Sequence, residues 1–129
     1  MNSSVESAEV CLVDDDSSVL RSMQYLLASD GITVRAFNKP EEFLAHAATH
    51  PVSVVVTDIW MEKVTGLEIL ARMCAISPRP RVIVITARDD LAARATATAI
   101  GPVAFFIKPF NDEEFLAAVH AALAQAKNP

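Results

Sequence analysis

Five short runs of apolar, mostly β-branched residues recur along the chain, at Val10–Val13, Thr33–Phe37, Val52–Thr57, Arg81–Ile85 and Val103–Ile107. They are too short for helices and run continuously apolar, so they read as strands covered on both faces. Longer segments of helical period separate them. Val19, Leu20, Met23, Leu26 and Leu27 return at three- and four-residue spacing, with Asp16, Ser17 and Ser18 as capping candidates and Gly31 as the stop. Asn38 and Pro40 open a second helix carrying Phe43, Leu44 and Ala47, and Pro51 ends it. Gly66 precedes a third, with Leu67, Leu70 and Met73 inward, and Ser77-Pro78-Arg79-Pro80 closes it. The fourth, from Asp89 to about Ile100, is mostly alanine and threonine and should be the least firmly anchored. The fifth, from Asp112 to about Lys127, sets Phe115, Leu116, Val119 and Leu123 on one stripe.

Strand and helix therefore alternate five times, the pattern of a parallel sheet with helices on both faces. A length of 129 residues suits one such domain, and 52% hydrophobic with 21% charged residues excludes a disordered composition. A net charge of −5 argues against direct nucleic-acid binding, which needs a basic stripe to displace counterions. Cys11 and Cys74 read as small hydrophobes and not as a disulfide. The polar start lacks the basic-then-apolar form of a secretory leader, and no apolar run has membrane-spanning length. The expectation is a cytoplasmic protein with no membrane partner, a disordered tail over residues 1–8 and one domain over residues 9–127.

Right-handed crossovers bring the carboxyl ends of all five strands to one edge, where ligands of doubly wound sheets bind. Asp14, Asp15 and Asp16 follow the first strand, Asp58 ends the third, Thr86 follows the fourth and Lys108-Pro109 the fifth. Carboxylates so gathered repel one another unless a cation lies among them. Mg²⁺ suits such a set: it takes oxygen ligands, keeps several waters and is commonly held by one or two carboxylates plus a phosphate. A lysine and a hydroxyl opposite complete a clamp for a phosphoryl group. Each residue alone has an ordinary reading as a cap or loop residue; it is their joint placement that points to chemistry.

Val13-Asp14-Asp15, Val56-Thr57-Asp58 with Met61 and Gly66, Ile85-Thr86-Ala87 and Ile107-Lys108-Pro109-Phe110 together resemble the receiver domain of bacterial two-component response regulators. Phe37 and Glu41-Glu42-Phe43-Leu44 are most similar to receivers of the nitrogen-fixation-regulator and LuxR type, which usually precede a DNA-binding domain. The resemblance implies a flavodoxin-like α/β fold with five parallel strands in the order 2-1-3-4-5 and five flanking helices. It implies Asp58 as phosphoacceptor from a sensor histidine kinase, with Mg²⁺, or Mn²⁺ in its place, held by Asp14, Asp15, Asp58 and the carbonyl of Trp60. Lys108 would bind a phosphoryl oxygen, Thr86 and Ala87 would form the switch with Phe105, and the bond before Pro109 would be cis. The face made by the fourth helix, fifth strand and fifth helix would change and could pair two copies, with transcription as the output. Beyond self-phosphorylation and autodephosphorylation no enzyme activity is implied, and Asp16 is left as a helix cap.

Two positions depart from the family pattern: Glu62 stands where proline commonly follows the methionine, and Trp60 is bulky for its place. The expectation is a more mobile loop after Asp58. His46, His50 and His120 read as solvated surface histidines without metal-ligand spacing. A haloacid-dehalogenase-type phosphatase would need an acid where Trp60 stands, and a flavin carrier would meet three repelling aspartates. A receiver that only docks would not need the intact set of Asp14, Asp15, Asp58, Thr86 and Lys108.

Overall fold

The computed structural model describes residues 9–101 and 103–127, so the expected tail at 1–8 lies outside the described residues. Its strands are β1 (Val10–Val13), β2 (Val34–Phe37), β3 (Val54–Thr57), β4 (Arg81–Thr86) and β5 (Ala104–Ile107). Its helices are α1 (Ser17–Ser29), α2 (Pro40–Thr49), α3 (Gly66–Cys74), α4 (Leu91–Ile100) and α5 (Asp112–Lys127). All strand pairs are parallel, in the order β2-β1-β3-β4-β5. The order reverses between β1 and β3, and that is where a doubly wound sheet opens its crevice.

The continuous apolar strands are explained by a core on each side of the sheet. Val10, Leu12, Val54, Val56, Ile83 and Ile85 face Leu20, Met23 and Leu27 of α1 and Phe115 and Val119 of α5. The alternate residues Cys11, Val13, Val55, Val82 and Val84 face Phe43, Ile69, Leu70 and Met73 of α2 and α3. Phe43 and Phe115 are fully buried, and truncating either to alanine should cost about 3–5 kcal/mol. The fully buried residues of α4 are Ala93 and Ala97 alone, so it contributes little buried volume.

Helix ends follow the local chemistry. Asp16 caps α1, its carboxylate accepting from the N–H groups of Ser18 and Val19. Asp90 does the same for α4 with Ala92 and Ala93. Asn111 Oδ1 accepts from Glu114 at the start of α5. Gly31 ends the α1 turn at φ 76, a conformation glycine adopts without strain. The third helix differs from expectation at its start: Gly66 lies inside it, and Thr65 is the cap, accepting from Glu68 at 3.2 Å.

The histidines also differ from a purely solvated reading. His46 and His50 sit together at the end of α2, their rings stacked at 4.4 Å, and His46 also packs on Phe37. Burial lowers the pKa of His46, with His50 adding to the effect. His120 of α5 pairs with Asp30 beyond α1 at 2.6 Å. Cys11 is buried and Cys74 partly so, both free thiols. No described helix is long and apolar enough to cross a membrane.

Candidate phosphoryl-acceptor site

The hydrogen-bond ladder of the sheet runs one residue past the strands and fixes the site. Asp14 N donates to Phe37 O at 3.2 Å, Asp58 N to Val13 O at 3.3 Å and Lys108 N to Thr86 O at 2.8 Å. The side chains of Asp14, Asp58 and Lys108 therefore leave a backbone held by the neighbouring strand. Asp14 is buried, Asp15 exposed, Asp58 half-buried and Thr86 fully buried.

Asp14 Oδ1 accepts from Asp16 N at 2.9 Å, whereas its buried Oδ2 accepts no hydrogen bond and faces Lys108 Nζ at 3.8 Å. Burial pushes the Asp14 carboxyl up to about 6, opposed by the Asp16 N–H and by Lys108 and assisted by the charges of Asp58 and Asp15. Asp58 is also raised, chiefly by burial, with Lys108 and the N–H groups of Ile59 and Trp60 pulling the other way. Those two groups donate to Asp58 Oδ1 at 2.7 and 3.4 Å, leaving Oδ2 without a hydrogen-bond donor among the described residues.

The donor set fits a hard divalent cation. Asp14 Oδ2 is an orphaned buried acceptor, Asp14, Asp15 and Asp58 act on one another electrostatically, and all their ligand atoms are oxygens. Among the described residues no three acidic, imidazole or thiol groups form a ready-made cage.

Around this centre lie residues that the motifs alone did not reveal. Glu62 N donates to Asp15 Oδ2 at 2.9 Å, so the loop after Asp58 carries a hydrogen bond to the acidic pair. Arg88 N donates to Thr86 Oγ1 at 3.2 Å, and its guanidinium lies 4.7 Å from the ring centre of Trp60. Arg94 stands 5.1 Å from the centre of the half-buried Phe105 ring and joins α4 to β5. Ala87 is exposed on the loop between β4 and α4, and the Lys108–Pro109 bond is cis. Gly66 explains itself: a Cβ there would collide with the carbonyl oxygen of Asp58, whose own backbone must stay put. A missing proline at position 62 was the one sequence signal that a spare N–H was available.

Residues 10–120 match the family model described as the response regulator receiver domain. The chain is 34% identical over 121 residues to the transcriptional regulatory protein FixJ of Azorhizobium caulinodans, covering 94% of this chain and 57% of that protein. It thus spans little more than half the length of that relative. A response regulator receiver protein from Burkholderia phymatum is 37% identical, covers 92% of this chain and 96% of its own, and superposes with a TM-score of 0.79. The beryllofluoride-activated NtrC4 receiver domain dimer is 27% identical with a TM-score of 0.81, covering 92% of this chain and 98% of that one. Fold and sequence agree, and the chain belongs to the receiver domain family of two-component response regulators.

Proposed function

We propose that Asp58 is the phosphoacceptor of this receiver and that a sensor histidine kinase supplies the phosphoryl group. The observation that carries this reading is the asymmetry of its carboxylate: Oδ1 is held by two main-chain N–H groups while Oδ2 carries no donor. In the transfer, Oδ2 forms the new bond to phosphorus as the N–P bond of the donor breaks, and the departing imidazole takes up a proton. A cleft of about 400 Å³ beside Lys108, Pro109 and Phe110, walled by Val19 and Met23, gives the donor protein room to approach.

Asp14, Asp15, Asp58 and the Trp60 carbonyl would hold Mg²⁺, with Mn²⁺ as substitute. When bound, the ion supplies charge neutralisation for the transferring group. Lys108, already drawn towards Asp14, offers its ammonium to a phosphoryl oxygen. Thr86 reaches the phosphate by releasing the N–H of Arg88, and this motion passes along the loop to α4 and, through Arg94, to Phe105. The reading is of a cytoplasmic receiver whose α4-β5-α5 face controls a partner or a second copy, with transcription as the end effect, in keeping with its resemblance to transcriptional regulators.

The experiment is labelling by acetyl phosphate with Mg²⁺, read by intact mass. One hydroxylamine-labile phosphoryl group is expected in the wild type and none in Asp58→Asn. Equal labelling of both proteins would refute the assignment.

A further inference from the structure

At the edge of the sheet remote from Asp58, a cleft of about 300 Å³ opens between β4, β5 and α5. Its apolar wall includes Ala104, Ala118, Ala121 and Ala122. Arg79, Arg81 and Gln125 border it and also border an adjoining cleft of about 240 Å³ that runs on past Ser53 and Pro78. The Nε of Arg81 is buried and has no hydrogen-bond partner, and neither arginine forms an ion pair among the described residues.

A buried guanidinium N–H without an acceptor is costly, and an oxygen ligand would relieve that cost. Two arginines close together are also out of character for a chain of net charge −5. Their forked donors match a carboxylate or a phosphate ester, which take two parallel N–H···O bonds. Alanine side chains along α5 leave the volume beside them open to a compact apolar group, and the cleft is at the lower end of the range for small-molecule sites.

We propose that this second site binds a small organic anion, its carboxylate or phosphate head on Arg81 and Arg79 and its apolar body against the alanine wall of α5. Ala104 directly precedes Phe105 on β5, and α5 carries the opposite wall, so an occupant presses on the same strand and helix that the phosphorylation switch uses. Binding there shifts the receiver's equilibrium from its far side, and by linkage phosphorylation shifts the affinity for the anion. This coupling rests on the proposed role of Asp58, whereas the binding itself does not.

The binding test uses isotope-labelled protein without divalent metal, titrated separately with phenyl phosphate, benzoate and inorganic phosphate. The readouts are the Arg81 Nε–H and Gln125 side-chain amide resonances. Saturable shifts of both are expected with phenyl phosphate or benzoate, and at least tenfold weaker binding with inorganic phosphate, which has no apolar body. Arg79→Gln and Ala121→Leu, both at exposed positions and so compatible with the fold, should each raise the dissociation constant about tenfold. No saturation by about 10 mM, shifts centred on Lys108 and Asp58 instead, or unchanged affinity in both variants would overturn the proposal. Repeating the titration with Mg²⁺ present, with and without acetyl phosphate, on wild type and Asp58→Asn separates the two ideas: an affinity change with acetyl phosphate in the wild type alone is the expected coupling, and equal affinities throughout overturn the coupling while leaving the site standing.

Discussion

The main-chain N–H of Glu62 donates to Oδ2 of Asp15 at 2.9 Å, across 47 residues of sequence. A proline at position 62, the commoner residue of the family pattern, has no N–H to give. The departure from the family pattern thus supplies a hydrogen bond that a proline could not make. Glu62→Ala keeps the N–H and should leave stability almost unchanged, whereas Glu62→Pro should cost about 1 kcal/mol in metal-free protein, because a hydrogen bond to a carboxylate is lost at an exposed position. Urea unfolding of the two variants checks this, and equal midpoints would contradict it.

Metal-free protein should lose stability as pH rises through the titration of Asp14. Its carboxyl is raised from 3.8 to about 6 by burial, and the groups facing it are Asp58, Asp15 and Lys108. The folded state therefore binds the proton more tightly than the unfolded state. Its contribution is fully present below about pH 4 and is lost as pH passes about 6, an effect on the order of 3 kcal/mol. Unfolding in the presence of a chelator at pH 4.5 and pH 7 should show the fall, and Asp14→Asn should reduce it, the remainder belonging to Asp58, whose carboxyl burial also raises. A slope unchanged in the variant would contradict the assignment to Asp14.

Mg²⁺ should change the fluorescence of Trp60, the single tryptophan of the chain. Its indole is exposed beside the Arg88 guanidinium, and the main-chain N–H of the same residue donates to the Asp58 carboxylate. Relief of repulsion among the three carboxylates should also raise the melting temperature by mass action as the metal saturates. Both signals should report one binding constant. Asp15→Asn should weaken both together, and Asp16→Asn, a change at the α1 cap, should leave the metal response intact. Like behaviour of the two variants would contradict the ligand set.

Most of the architecture was legible because it depends on features one segment at a time can carry. Continuous apolar runs gave the two-sided strands, and Asp16 was recognisable as a cap from its place before a periodic helix. The motif residues Asp14, Asp58, Thr86 and Lys108 were legible because each follows a strand, and the parallel order then carries all strand ends to one edge. What was not legible depends on contacts between segments. The Glu62–Asp15 bond and the Arg88–Trp60 and Arg94–Phe105 stacks depend on how separate segments meet, for which sequence spacing holds no signal, whereas the stacked His46 and His50 are four residues apart at one helix end and follow its spacing. Gly66 was legible as a motif but not in its reason, the close approach to the Asp58 carbonyl.

A phosphoryl mimic such as beryllofluoride should promote pairing of two copies through the α4-β5-α5 face. Leu91 at the start of α4 is 77% exposed, and the alanines that follow it leave a shallow surface. Arg94→Ala should alter the response by freeing Phe105 from its cation. Light scattering with and without the mimic measures the mass, and an unchanged mass together with unchanged hydrogen exchange over α4 and β5 would count against the expected face.

The central claim is that Asp58 carries the phosphoryl group, and borohydride trapping tests it most directly. Protein treated with acetyl phosphate and Mg²⁺ is reduced, which converts an aspartyl phosphate to homoserine, and is then digested and sequenced by mass spectrometry. Homoserine at position 58 alone is the predicted result; homoserine at Asp14 or Asp15, or at no position in a labelled sample, would contradict the account.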